Sequence, residues 1–213
     1  VVFIVFARTL DGDFLLWDDP VNVTKNDLVK DFDLEGMFTD FETAARYKPL
    51  SWFAWAIIYF LYETDPAGYH FANLSLHVFN AVMVFLVLIA LGRRAITEES
   101  FAERSTQILI TGALAALFWA VHPLRVEPVA WVTGLPYGLA LAPMLLATWL
   151  YLRLDPERSA FAQFGYWAAV ILYGIAVLTY PIVLGFPAAL IALDMYPSKR
   201  FSRENGWSFT DRI

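Results

Sequence analysis

The sequence contains no cysteine and little charge: of its 213 residues none is Cys and only 17% are Asp, Glu, Lys or Arg. The first absence removes any disulfide framework and any thiolate metal site. The second sets the chain apart from soluble domains, in which about a quarter of residues are charged. Histidine is scarce as well, three residues in all. No Gly-rich phosphate loop, HExxH, GxSxG or Cys/His metal spacing is present. The few charges sum to −6, which argues against a nucleic-acid partner. The apolar start, Val1 to Ala7, lacks the basic region and small-residue cleavage site of a signal peptide.

Apolar residues fill the space. They make up 59% of the chain, with 17% aromatic and a mean hydropathy of +0.53. Several runs approach or exceed the ~20 residues that a bilayer-crossing helix requires. The composition therefore predicts an all-α fold, a polytopic helical membrane bundle. Residues 1–7 read as the last turns of a first transmembrane helix, and the chain is expected to be truncated at both ends. Residues 8–66 read as an acidic outer loop carrying a short apolar segment at 49–62. That segment suits an interfacial helix, where its Trp and Tyr residues would be at home, or a re-entrant or strongly tilted one. Asp65-Pro66 opens the bundle proper, 67–196, because proline is acceptable in a first helical turn. Spans are expected at 67–92, 108–121, 126–152, 164–178 and 182–196, the third of these bent near Gly134-Leu135-Pro136 because Pro136 lacks a backbone donor. Residues 197–213 form a basic tail.

Sidedness follows from the basic residues. Arg93, Arg94, Arg104, Arg153, Arg158, Lys199, Arg200, Arg203 and Arg212 fall in three connections, whereas segment 8–69 sets five basic residues against twelve acidic ones. Short basic loops mark the cytoplasmic side, so the acidic loop, the 122–127 turn and the Tyr180 turn are expected to face outward. The expected setting is a multi-pass protein of a bacterial inner membrane or the endoplasmic reticulum.

A few polar residues stand out against this background. Asp18 and Asp19 lie at the expected membrane surface, where one could act as general base or the two could share a divalent cation. They could equally be a solvated loop acid and a helix cap. His122, Arg125 and Glu127 are packed into one turn between apolar helices. The planar guanidinium there suits a phosphate, while an Arg–Glu pair that simply caps the turn is the plainer alternative. His70, Asn73, His77 and Asn80 recur at helical spacing on one face. The last three are best explained as hydrogen bonds across helices, and His70, nearest the outer surface, as a possible substrate contact. Lys48 could touch a phosphate or extend its stem along the interface.

Four segments carry a resemblance when taken in order: Phe14-Leu-Leu-Trp-Asp-Asp-Pro-Val-Asn-Val-Thr, Tyr47-Lys-Pro-Leu-Ser-Trp, Gly68-Tyr-His-Phe-Ala-Asn-Leu-Ser-Leu-His-Val-Phe-Asn-Ala-Val, and His122-Pro-Leu-Arg-Val-Glu-Pro-Val-Ala-Trp-Val-Thr-Gly. Together they resemble the N-terminal membrane part of the transmembrane, tetratricopeptide-repeat-containing O-mannosyltransferase-like family. Leu193-Asp194-Met195-Tyr196-Pro197 is similar to the end of that block.

The resemblance implies a GT-C-like glycosyltransferase fold and a polyprenyl-phosphate-linked sugar donor, with transfer to an acceptor on the non-cytoplasmic face. It places Asp18 or Asp19 as the base and Arg125 at the lipid phosphate, with His122 and Glu127 in the same turn. The chain departs from the pattern where Leu135-Pro136-Tyr137 and Tyr180 replace charged residues of the family. A second reading follows from those departures: a catalytically inactive subunit within a larger membrane complex. A transporter has no support, since neither a mid-membrane ionisable pair nor a repeat is visible.

Overall fold

The computed structural model describes residues 1–41, 47–155 and 158–195. The basic tail 197–213, and Tyr196-Pro197 of the last motif, lie outside the described residues. Every regular element among those described is helical: α1 (Val2–Phe6), α2 (Asp27–Lys30), α3 (Leu34–Thr39), α4 (Pro49–Tyr62), α5 (Pro66–Ala95), α6 (Glu98–Glu103), α7 (Ser105–Ala120), α8 (Val126–Ala130), α9 (Leu135–Leu152), α10 (Phe164–Thr179) and α11 (Phe186–Met195). Short 3-10 turns join several of them, and a π-turn spans Pro20–Thr24.

The long helix begins where the sequence predicts. The Asp65 carboxylate accepts from the Ala67 N–H at 3.0 Å and Pro66 occupies the first turn, so the cap meets one orphan donor and the proline removes another. From there α5 runs 30 residues, about 45 Å at 1.5 Å per residue. It packs against α7 on one side and α9 on the other, and α9 packs against α10. Small residues permit the close approach: Ala116, Ala120, Ala140, Ala147, Ala169 and Ala176 are all buried. A Cβ on Gly112 would sit 3.0 Å from Ile89, and one on Gly138 would sit 3.2 Å from Leu76.

Large apolar side chains point away from the bundle, among them Phe79, Val82, Leu114, Phe118, Trp167 and Ile171. Such a surface is unfavourable in water and matches hydrocarbon. The chain is an all-α membrane protein. Two helices are long and apolar enough to cross a bilayer, Pro66–Ala95 and Val132–Leu152, and a third crossing is available to Ser105–Ala120 with Pro123–Ala130, bent by 59°. The other apolar helices, Pro49–Tyr62, Phe164–Thr179 and Pro181–Met195, are shorter.

The expected break near Gly134-Leu135-Pro136 lies at the Gly134 end of that stretch, and Pro136 is not its cause. Pro136 sits in the first turn of α9, where its missing N–H costs nothing. The chain breaks at Trp131–Gly134, between α8 and α9. The proline inside α9 is Pro143, and the helix continues through it.

Much of the acidic segment is folded rather than loose. Val23, Val29 and Met37 are fully buried against Trp52 and Trp55 of α4. Asn26 and Asp33 cap α2 and α3 by accepting from Leu28 and Gly36 N–H groups. Asp19 apart, the described acids of this segment lie toward the outside of a small cap whose apolar residues share the α4 core. On its other side α4 meets the end of α10, where the Ser51 hydroxyl donates to the Thr179 carbonyl at 2.7 Å. That carbonyl belongs to the last turn of α10, where the helix itself supplies no donor, and the Val183 N–H that could reach it bonds the Tyr180 carbonyl instead.

Candidate functional site

Three polar residues of α5 determine where the broken helices sit. The Asn73 amide donates to the Trp131 carbonyl at 2.7 Å, His77 Nε2 to the Ala120 carbonyl at 2.9 Å, and the Asn80 amide to the Gly138 carbonyl at 2.9 Å. Ala120 closes α7, so its carbonyl is one that its own helix cannot satisfy, while the Trp131 carbonyl after α8 also accepts from the Gly134 N–H. The cross-helix role expected for Asn73, His77 and Asn80 is the one observed.

The same break fixes Asp19. Its side chain is fully buried. Oδ1 accepts from both the N–H and the hydroxyl of Thr133, and Oδ2 accepts from the Leu15 N–H at 2.8 Å. Trp17 lies against Trp131 with ring centres 6.2 Å apart. The first acidic segment is thereby clamped to the α8–α9 break, 114 positions away in sequence. Asp18 is exposed, its carbonyl accepting from the N–H and side-chain amide of Asn22. The two aspartates therefore have different capacities, one anchored and one open to a ligand.

Asp19 Oδ1 accepts from two donors and Oδ2 from one, which leaves Oδ2 a single further lone pair. Among the described residues no group of three or more His, Asp or Glu side chains is placed to hold a metal.

Lys48 reaches the same segment. Its Nζ donates to Asn22 Oδ1 at 2.6 Å and lies 4.8 Å from the centre of the Trp55 ring. It braces the turn that carries Asp18. His70 is buried, and a Cβ on Gly12 would sit 2.8 Å from its Nε2. Both ring nitrogens are buried, with the Asp13 backbone and the Asp19 carboxylate nearby. The closeness of Gly12 places His70 under the acidic segment rather than at a surface.

Arg125 occupies a different wall. A cavity of about 270 Å³ lies between α5, α7, α8 and α9, lined by Arg125, Glu127, Trp119, Asn73, His77, Asn80 and Tyr137 among others. The Arg125 guanidinium carbon is 5.4 Å from the Trp119 ring centre, and its Nε is buried without a partner. Among the described residues it forms no ion pair with Glu127, so the pair does not neutralise itself. The Asn80 Oδ1 is likewise buried and unpartnered. Two residues of the cavity wall, Arg125 and Asn80, thus carry a buried polar atom without a partner, beside a guanidinium suited to an anionic group. His122 caps the turn instead, its Nδ1 accepting from the Leu124 N–H at 3.2 Å and its ring lying edge-on to Phe118. None of Asp18, Asp19, Lys48, His70 and His122 lines the cavity.

Tyr137 and Tyr180, where the chain departs from the family pattern, touch each other. Their rings meet edge to face with centres 5.1 Å apart. Sequence reasoning misses two members of this region: Thr133, which is one residue inside a longer motif, and Trp119, which is one aromatic among many. Only Thr133 carried a signal, in its adjacency to Trp131 and Gly134.

These features define an all-helical membrane protein with a polar, partly unsatisfied site at one end of its bundle. The chain is 31% identical over 145 residues to human protein O-mannosyl-transferase TMTC4, covering 63% of this chain and 19% of that protein. It is 29% identical over 141 residues to protein O-mannosyl-transferase F38B6.6 of Caenorhabditis elegans, covering 62% and 19%. With Drosophila melanogaster protein O-mannosyl-transferase Tmtc3 it shares 34% over 95 residues, 41% of this chain and 10% of that protein. The chain therefore spans about a fifth or less of the curated relatives it matches. The chain is similar to these protein O-mannosyl-transferases over that part of their length, in line with the resemblance carried by its four motifs. No family model matches it, and no solved structure matches it.

Proposed function

We propose that the chain is the membrane module of a multi-pass, GT-C-like glycosyltransferase that takes its sugar from a polyprenyl-phosphate carrier. The acceptor stands on the non-cytoplasmic face, the side of the acidic segment. The observation that carries this reading is Arg125, with a buried, unpartnered Nε, on the wall of a largely apolar cavity at the same end of the bundle as Asp18. The names of the relatives support the mannosyl-transferase class.

In the reaction, the acceptor hydroxyl oxygen attacks the anomeric carbon and the bond from that carbon to the phosphate oxygen breaks in line. The hydroxyl proton passes to a carboxylate. The departing phosphate keeps the bonding electron pair, and Arg125 stabilises that charge through its planar fork. Asp18, exposed and free of side-chain partners, is the better placed base. Asp19 acts as its positioning residue through Thr133 and the Leu15 backbone. Lys48 positions the same turn through Asn22.

A second reading, a catalytically inactive structural subunit of a larger membrane complex, is favoured by one specific observation. Neither aspartate lines the Arg125 cavity, and aromatic rings stand at 137 and 180. Transfer of labelled sugar from polyprenyl-phosphate donors by the full-length protein separates the two. Under the enzyme reading, Asp18→Asn and Arg125→Ala each reduce turnover by on the order of a hundredfold or more. Absence of transfer from every such donor, in a protein that purifies bound to other membrane subunits, would establish the scaffold instead.

A further inference from the structure

We infer that the opposite end of the bundle carries a second site, built for the phosphodiester headgroup of an anionic membrane phospholipid. A cavity of about 640 Å³ lies there between the last turns of α5 and α9 and the start of α6. Arg93 and Arg153 both line it. The Arg93 guanidinium carbon lies 4.9 Å from the centre of the Phe101 ring, and that of Arg153 lies 4.5 Å from the centre of Trp149. A guanidinium held over a ring has part of its freedom already restricted and loses less of it when an oxyanion arrives. Among the described residues neither arginine has a carboxylate within salt-bridge distance.

The third arginine of this wall has a different task. Arg94 donates from Nε to the Leu152 carbonyl at 2.7 Å and from its Nη2 to the Leu154 carbonyl. It ties α5 to the end of α9 and holds the other two in place. Two acids also line the cavity, Glu98 and Asp155. Asp155 pairs with Arg158 at 3.4 Å, so the wall retains a positive excess.

The choice of a lipid over a soluble phosphate rests on position. At 30 residues, α5 is about as long as a bilayer is thick with its headgroups included, ~40–45 Å. Its last turn therefore lies at headgroup depth. The wall toward α5 is apolar, formed by Leu86, Ile89 and Ala90, and suits acyl chain rather than water. A basic pocket between helix ends above an apolar wall is a fitting geometry for an anionic headgroup.

The test uses the full chain purified in mild detergent, with retained lipid read by native mass spectrometry. Phosphatidylglycerol is offered against phosphatidylcholine, and free glycerol 3-phosphate serves as a competitor. Wild type is expected to favour phosphatidylglycerol by on the order of tenfold, and Arg93→Gln with Arg153→Gln to abolish that preference without changing the thermal midpoint. If the double variant does not fold, Arg153→Gln alone is expected to remove a large share of it. Equal retention of both lipids, or a preference that survives in the variants, overturns the site. Displacement by glycerol 3-phosphate at matched concentration makes it a soluble-phosphate site and equally overturns the inference. Sugar transfer plays no part in the readout, so the result stands apart from the glycosyltransferase reading.

Discussion

Asp18 and Asp19 are chemically identical neighbours that the fold separates into two roles. Asp19 is buried and accepts from the Thr133 N–H, the Thr133 hydroxyl and the Leu15 N–H. Removing its carboxylate leaves those donors unmet, two of them on a buried residue, and hydrogen bonds to a charged group are individually worth ~1.5–3 kcal/mol. Asp19→Ala is therefore expected to cost about 2–4 kcal/mol of stability. Asp18→Asn, on an exposed side chain, should stay within about 0.5 kcal/mol. Thermal unfolding of both variants in the same detergent checks this, and equal midpoints would show that Asp19 is not the anchor. Asp19→Asn keeps one acceptor oxygen and should fall between them.

Among the elements, the α8–α9 break decides the geometry of the site, and Gly134 decides the break. A Cβ at this position would lie 2.8 Å from the Pro128 carbonyl oxygen and 2.9 Å from the Pro128 Cα. Both are backbone atoms, which cannot rotate aside as a side chain can. Gly134→Ala is expected to open the 126–134 turn, draw Thr133 away from Asp19 and cost about 1–3 kcal/mol. Gly174, within α10, has nothing within 4 Å of an added Cβ. Gly174→Ala should be neutral or stabilising by up to ~1 kcal/mol, which makes it a control. Similar losses at the two glycines, measured by unfolding in one detergent, would contradict the steric account. The α5 clips act at this same scale, because Asn73, His77 and Asn80 hold carbonyls on three different segments.

For the whole molecule, the polar contacts sort by end. Asp19, Thr133, Asn73 and Trp131 meet at the end where α5 begins, while Arg94, Leu152 and Leu154 meet where it finishes. The proposed sidedness places the first end outside the cytoplasm. Because the chain has no cysteine, single thiols report on it against a silent background. Leu16→Cys and Ser159→Cys both occupy exposed positions. A membrane-impermeant maleimide applied from the non-cytoplasmic side should label the first at once and the second only after permeabilisation. Labelling of both from one side would reverse the proposed topology.

The sequence by itself determined the helical membrane class, the start of α5 at Asp65-Pro66 and the polar face of that helix. These depend on composition, capping and a period of 3.6, all of which are local. It also carried the family resemblance, since motifs in fixed order need no coordinates. Only the tertiary structure distinguished Asp19 from Asp18, because the partner is Thr133, 114 positions away, and one sequence holds no trace of such a pairing. Only the structure showed that the break near Gly134 does not come from Pro136, because a proline in a first turn and a proline in a helix interior differ solely in where the helix starts. The core of the acidic segment was hidden for a related reason. Val23, Val29 and Met37 are too few and too scattered among acids to show a period, and they become buried only when α4 brings Trp52 and Trp55 against them.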